Sequence, residues 1–281
     1  MRGLVSVVIP VYNASHFLED AFDSVINQTY RNIEIIAVDD CSYDGSESIL
    51  KEYVKKGKIK LIVNKSNLGD AASRNRGLLE ITGEYYAPMD ADDICLPGRI
   101  LKEVEFLQNH KECVLVGGQA VYIDEHSKYL GTSNYPTKIS NIATHVWRRN
   151  PVAHSSVLTR SDLVKRVGTY SGELRTCSDY DLWLRLIKYG YLANLGEVVI
   201  KYRLHPNQMS QYDYSHLLRT TTLLQNKYKH LYNHKANLVD KIYSTIYWIL
   251  LKIPSKTSNR IVNYFRSLSR FIGGLGKGTH D

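Results

Sequence analysis

Glycine-rich phosphate loops are missing from this chain. Neither a GxGxxG nor a Walker-type GxxxxGK[ST] pattern occurs in its 281 residues, which leaves kinases and dehydrogenases poorly supported. Cysteine is scarce: Cys41, Cys95, Cys113 and Cys177 are the whole set. No two are spaced as zinc ligands, so reduced thiols in a cytosolic protein are expected. Long apolar runs are also lacking. The best segment, Ile242–Ile253, is interrupted by Ser244, Thr245 and Lys252, short of the ~20 residues that span a bilayer. Met1–Pro10 leads directly into a strand-like run, so no secretory leader is expected. Internal repeats and low-complexity segments are absent, which argues against solenoid and fibrous classes.

What remains is ordinary globular material, 43% hydrophobic and 23% charged, enough for one sizeable core with an appendage. The net charge of +8 is unevenly placed. Residues 227–281 hold ten Lys/Arg against two Asp/Glu, and the preceding 226 residues balance. A basic tail on a neutral body suggests an anionic surface as partner.

The first half alternates strand and helix patterns. Val5–Ile9, Ile33–Val38, Ile59–Val63 and Tyr85–Met89 read as buried strands. Between them lie a helix opening at a Ser15 cap with Phe17, Leu18, Ala21, Phe22 and Val25 on one face, a helix over Ser46–Lys56 after an Asp44–Gly45 turn, and a helix over Asp70–Glu80. This alternation predicts a parallel, doubly wound sheet. Further on, the pattern predicts a helix over Pro97–Asn109, a strand pair over Cys113–Ile123 and an irregular stretch over 124–150. A helix over Ser178–Tyr189 and a strand over Val198–Leu204 follow, then helical, basic chain after about 215. The domains expected are 1–215 and a helical extension, 216–281.

Ligands of such sheets sit at the carboxyl ends of strands. Here those ends carry Pro10–Asn13, Asp39–Asp40, Asn64–Asn67 and Asp90–Asp93. The carboxylates of Asp90, Asp92 and Asp93 repel one another unless a cation lies among them, and hard oxygen ligands suit magnesium or manganese. The alternative is a solvated acidic turn that caps the next helix. Asp39–Asp40 can accept from a base or ribose, or form Asx-type turns. In Ser178–Asp181 a carboxylate can cap its helix or act as general base. His154 and His205 lie in polar contexts and fit either structural or ligand roles.

The ordered blocks resemble the family 2 glycosyltransferases. Val5–Asn13 is similar to the opening strand, followed by Gln28-Thr29-Tyr30, Val38–Ser42 with Asp44-Gly45-Ser46, and Asn67-Leu68-Gly69 with Ala72–Asn75. Asp90–Asp93 with Pro97 and Arg99 resembles the DxD block, Asp179–Arg185 the catalytic-base block, and Tyr202–His205 the closing one. The likeness spans roughly residues 4–210. It implies a GT-A fold: α/β, a Rossmann-like, mostly parallel sheet with flanking helices, here extended by a basic helical tail. It further implies that Pro10, Tyr12, Asn13 and Asp40 hold the nucleotide-sugar, usually a uridine one. Arg74 would lie near the diphosphate, Asp90 would face ribose or sugar, and Asp92, with His205, would ligate Mn2+ (or Mg2+). Asp179 would be the base. One departure is Ser178, where many members carry Glu.

The expected activity is inverting transfer of a hexose (Glc, Gal or GlcNAc) from a UDP-sugar donor. The acceptor would be a lipid-linked sugar, GlcNAc-diphosphoundecaprenol, and the link β-1,3, in O-antigen or capsule assembly. Aromatic and apolar residues interleave with Lys and Arg across Lys227–Phe271, the make-up of an interfacial helix. The protein is therefore expected in the cytoplasm, peripheral to the inner face of the membrane. Two other readings compete. A nucleotidyltransferase would want Gly and Lys or Arg in the loop Pro10–Ser15, which has none of them. A nucleic-acid-binding protein would use the basic tail but leaves the acidic strand ends unexplained, so no nucleic acid is expected as partner.

Overall fold

A computed structural model describes residues 3–206, 208 and 214–253. The apolar tail positions Ile261, Tyr264, Phe265, Leu268 and Phe271 lie outside the described residues. The strands are β1 (Val5–Val11), β2 (Ile33–Asp39), β3 (Lys60–Val63), β4 (Tyr85–Pro88), β5 (Ile94–Cys95), β6 (Cys113–Ile123), β7 (Tyr129–Thr132), β8 (Leu158–Arg160) and β9 (Tyr191–Arg203). The helices are α1 (Leu18–Ile26), α2 (Ser46–Lys55), α3 (Asp70–Leu78), α4 (Arg99–Asn109), α5 (Ile139–His145), α6 (Ser161–Val167), α7 (Ser178–Leu186), α8 (Tyr214–Leu231) and α9 (Leu238–Lys252). The strand order is β3-β2-β1-β4-β8-β6-β9-β5, with β7 paired to β6. β1, β2, β3 and β4 pair parallel, as do β6 and β9, and these are the long ladders. The antiparallel pairings, all around β8, β7 and β5, are short.

Alternating residues of β1 feed two cores. Val5, Val7, Ile9 and Val11 face a cluster with Leu18, Phe22 and Val25 of α1, Leu50 of α2, and Ile100, Val104 and Leu107 of α4. Val8 joins Ile36 and Val38 against Leu78 of α3, Leu182 and Trp183 of α7, and Leu224 and Tyr228 of α8. Burial on both faces is why β1 and β2 read as continuous apolar runs.

Several elements differ from the sequence pattern. Phe17, not Ser15, is the N-cap of α1, and no side chain caps it. The Ser15 N–H instead donates to Asp44 Oδ2 at 2.9 Å, so loop-to-loop bonding delays the helix start. Cys113–Ile123 is one 11-residue strand. Its Gly117-Gly118 step serves close packing rather than a turn, since a Cβ on Gly117 would lie 2.4 Å from Val152 Cγ1 and one on Gly118 2.7 Å from Val199 Cγ2. The stretch 124–150 contains β7 and α5, and β9 begins seven residues earlier than the Val198 start expected from its β-branched run.

Among the described residues no helix is long and apolar enough to cross a membrane. α9 is nevertheless apolar on its outer side, where Leu238, Ile242, Ile246 and Ile249 stand exposed at helical spacing beside Trp248. Its start is tied to the body. Asn237 and Asp240 form a capping box, Arg148 Nε donates to Asp240 Oδ1 at 2.7 Å, and the Tyr247 hydroxyl donates to the Arg148 carbonyl at 2.8 Å.

Candidate active site

The carboxyl ends of β1, β2 and β4 open on one side of the sheet because the three strands run parallel. Pro10 is part-buried in β1, paired in register with Val38. Tyr12 follows, exposed, with its ring edge-on to Tyr43 at 6.2 Å. Asn13 has φ 49°, a left-handed conformation that Asn tolerates. Its Oδ1 accepts from the Tyr43 N–H at 3.0 Å and its N–H donates to Ser42 Oγ at 3.0 Å. Asn13 thus ties the β1 and β2 loops together.

Asp40 lies beneath the next loop. It is buried, and its Oδ1 accepts from Asn64 Nδ2 at 2.6 Å and the Leu68 N–H at 2.8 Å, while Oδ2 accepts from the Gly69 N–H at 2.8 Å. These bonds hold the loop that starts α3. The open valence at this strand end is on the neighbour. Asp39 is fully buried, and its Oδ1 meets no hydrogen-bond partner among the described residues. Burial pushes its carboxyl up, against bonds from Ser42.

α3 delivers Arg74 to the centre. Its guanidinium is 2% exposed and clamped between Asp70, at 2.9 Å, and Asp90, with the Tyr170 ring 5.9 Å away. Burial opposes its charge, but Asp70 and Asp90 hold its pKa well up. Asp90 is also desolvated, yet Arg74 and then His154 keep its carboxyl below the usual range. The other two carboxylates are less well served. Burial raises Asp92, and Asp90 adds to it, while a 2.9 Å bond with His205 Nε2 works the other way. Asp93 is buried and pushed well above the usual range by desolvation and then by Asp92 and Asp90. Its Oδ1 accepts from the Arg203 N–H at 2.9 Å, and its Oδ2 has no partner among the described residues.

Asp90, Asp92 and Asp93 each offer an oxygen within 4.8 Å of the others. Crowded carboxylates with one orphaned buried oxygen are a donor set that fits a hard divalent cation, while His205 bonds Asp92 but is not part of the three-carboxylate cluster. Arg203 braces this turn. Its Nε donates to the Asp92 carbonyl at 2.8 Å, Nη2 bonds Asp20 at 3.0 Å, and the guanidinium lies 4.9 Å over the Phe17 ring. Phe17 packs on His205 at 5.0 Å. The sequence marks Asp93 only as one of three carboxylates crowded around a cation, and it gives Arg203 no role of its own. Arg203 directly precedes the Leu204-His205 pair, which was the available signal.

Asp179 is part-buried in the first turn of α7 and accepts from Asn150 Nδ2 at 2.7 Å. Asp181 does not cap α7. It is buried, receives Arg185 at 2.8 Å and the Tyr228 hydroxyl at 2.8 Å, and so fastens α8 to α7. The segment 150–156 joins the base block to the acidic turn. Asn150 meets Asp179 at one end. At the other, Ser155 Oγ accepts from the Asp90 N–H at 3.1 Å, and His154 Nδ1 lies 3.6 Å from Asp90 while its Nε2 bonds the Tyr170 hydroxyl at 2.9 Å.

The molecule's likeness to known proteins agrees with this layout. The sequence model of the family "Glycosyl transferase family 2" matches residues 6–166. An uncharacterized glycosyltransferase of Haemophilus influenzae is 32% identical over 268 residues, 92% of this chain and 78% of the relative. The amylovoran biosynthesis glycosyltransferase AmsE of Erwinia amylovora is 34% identical over 208 residues, 71% of this chain and 76% of its own. Among solved structures, S. aureus TarS 1–349 in complex with UDP superposes with a TM-score of 0.63 at 16% identity, covering 96% of this chain and 80% of TarS. The mannosyltransferase PcManGT of Pyrobaculum calidifontis, in complex with GDP-Man and Mn2+, gives 0.62 at 15% identity, covering 99% and 89%. With parallel strands converging on an acidic turn, and with a family match over more than half its length, the chain is a GT-A-fold glycosyltransferase belonging to glycosyl transferase family 2.

Proposed function

We propose that this glycosyltransferase moves a hexose from a UDP-sugar to a hydroxyl of a lipid-linked sugar, inverting the anomeric centre, in assembly of a surface polysaccharide. The observation that carries the reading is the segment 150–156, which links Asp179 to the turn Asp90–Asp93. A divalent cation, Mn2+ or Mg2+, held by Asp92 with His205 and the neighbouring carboxylates, would neutralise the diphosphate as its charge develops. Arg74 fixes Asp90 toward the donor, and Tyr12 beside Tyr43 offers a ring for the base. Asp179 accepts the acceptor's hydroxyl proton as the new C–O bond forms and the bond to UDP breaks. Attack from the face opposite the nucleotide gives inversion. GlcNAc-diphosphoundecaprenol is the acceptor and β-1,3 the linkage favoured here. The relative AmsE, named for amylovoran biosynthesis, supports the polysaccharide setting. The exposed apolar side of α9 and the basic tail support a peripheral position on the inner membrane face.

The test is UDP release from UDP-Glc, UDP-Gal and UDP-GlcNAc against a synthetic GlcNAc-diphospholipid, with Mn2+ and with chelator. Turnover is expected with one donor and lost with chelator. Asp92→Asn is expected to cost about 10²-fold or more, and Asp179→Asn about 10²–10⁴-fold with donor binding retained. Activity of Asp92→Asn within threefold of the parent removes the metal assignment. Retention of the donor's anomeric configuration removes the single-base mechanism.

A further inference from the structure

We propose that Asn150 is the positioning residue that aims the Asp179 carboxylate, an inference that rests on Asp179 being the base. Asn150 Nδ2 donates to Asp179 Oδ2 at 2.7 Å. Its Oδ1 accepts from the Val152 N–H at 3.3 Å. The second bond settles which end of the amide faces Asp179, because the opposite placement would set a carbonyl oxygen against a carboxylate and leave the Val152 N–H without this acceptor.

The backbone on both sides of Asn150 is fixed. The Tyr180 hydroxyl donates to the Val146 carbonyl, and Trp147 stacks on His234 with centroids 4.6 Å apart. Arg148 is bound through its side chain to Asp240 and through its carbonyl to Tyr247. Pro151 follows, its ring restricting Asn150 to extended backbone, and its carbonyl accepts from Asn194 Nδ2 at 3.0 Å. The amide is therefore mounted on chain that α7, α9 and β9 hold together.

Asp179 needs such an external partner. A carboxylate in the first helical turn is drawn toward the free N–H groups of its own helix. Cys177, the N-cap of α7, has φ 63° and no capping side chain to compete for them. The Asn150 bond turns Asp179 away from that local alternative and occupies Oδ2. Among the described residues Oδ1 has no hydrogen-bond donor, which leaves it for the acceptor's proton. Asn150 touches neither donor nor reacting atoms in this scheme. It acts through Asp179, where a displacement of ~1 Å costs on the order of 10²-fold.

The experiment compares full-length Asn150→Ala, Asn150→Asp and Asp179→Asn by kinetics across pH, with thermal melts. Asn150→Ala is expected to lower kcat about 10- to 100-fold while donor KM stays within about twofold and Tm is little changed. Asn150→Asp keeps the shape, removes the donor and adds a charge beside the base, so the acidic limb of its kcat profile moves about one unit to higher pH. Folded variants that keep kcat within threefold and the limb in place overturn the inference. So does a loss of kcat matched by equal losses of donor affinity and Tm. Should the alanine variant not fold, the isosteric aspartate decides alone. Near-parental turnover of Asp179→Asn refutes the base assignment itself, whatever the Asn150 variants do.

Discussion

Asp40 has a long reach for one side chain. Its two oxygens take three hydrogen bonds, two of them from the N–H groups of Leu68 and Gly69 that lead into α3. α3 carries Arg74, and Arg74 sets Asp90. Asp40→Ala is therefore expected to destabilise the fold by about 2–4 kcal/mol, since it strands buried donors. It is also expected to raise donor KM more than it lowers kcat, because the nucleotide side of the site loosens in ground and transition states alike. Calorimetric stability and donor titration check both. Unchanged donor binding in a protein with a lowered Tm would confine Asp40 to a structural role. Asp39, one residue earlier, keeps a buried oxygen without a partner among the described residues. No periodicity separates two adjacent aspartates at a strand end, so their division of labour was not legible before the loop geometry was known.

α9 is held by a knot of charge rather than by an apolar face. Burial alone would raise the Asp240 carboxyl, but bonds from Arg148, His234 and the Asn237 N–H bring it down to about 2. A carboxylate depressed on folding stabilises above its unfolded value of ~3.9 and loses that contribution as pH falls toward the folded value. Hydrogen-exchange protection of Leu238–Lys252 is thus expected to fall between about pH 4 and pH 2, ahead of β1 and β2. Asp240→Asn should cost the helix about 2 kcal/mol of local stability at neutral pH. Equal protection in parent and variant would show that packing, not the knot, holds α9. The elements differ in how far sequence foretold them. β1 through β4, and α4, stood out because the apolar periods of β1, α1 and β2 are strong and Asp44-Gly45 is a clear turn, whereas the two-residue β5 between β4 and α4 did not. β7, α5, β8 and α6 are three to seven residues long, too short to establish a period. The Asn150–Asp179 bond joins residues 29 positions apart, and an asparagine before a proline reads only as a loop.

At the scale of the molecule, the proposed membrane contact combines the basic excess with the outward apolar side of α9. Ile242 and Ile246 are 48% and 45% exposed, so Ile242→Glu with Ile246→Glu is expected to leave Tm unchanged. The same pair should release the protein from phosphatidylserine-containing vesicles, as should high salt if charge dominates. Vesicle sedimentation that survives both treatments would exclude α9 and the basic tail as the contact.

The membrane position proposed from the outward stripe of α9 would also change how rates must be expressed. An enzyme resting on a bilayer searches for its acceptor in two dimensions, and the concentration it meets is molecules per unit area. Diluting the lipid-linked sugar with inert phospholipid, at constant bulk amount, is then expected to slow transfer. Adding buffer at constant donor concentration is not. On that placement the apparent KM for the acceptor is expected to be a mole fraction of the surface, while the KM for the water-soluble donor remains an ordinary concentration.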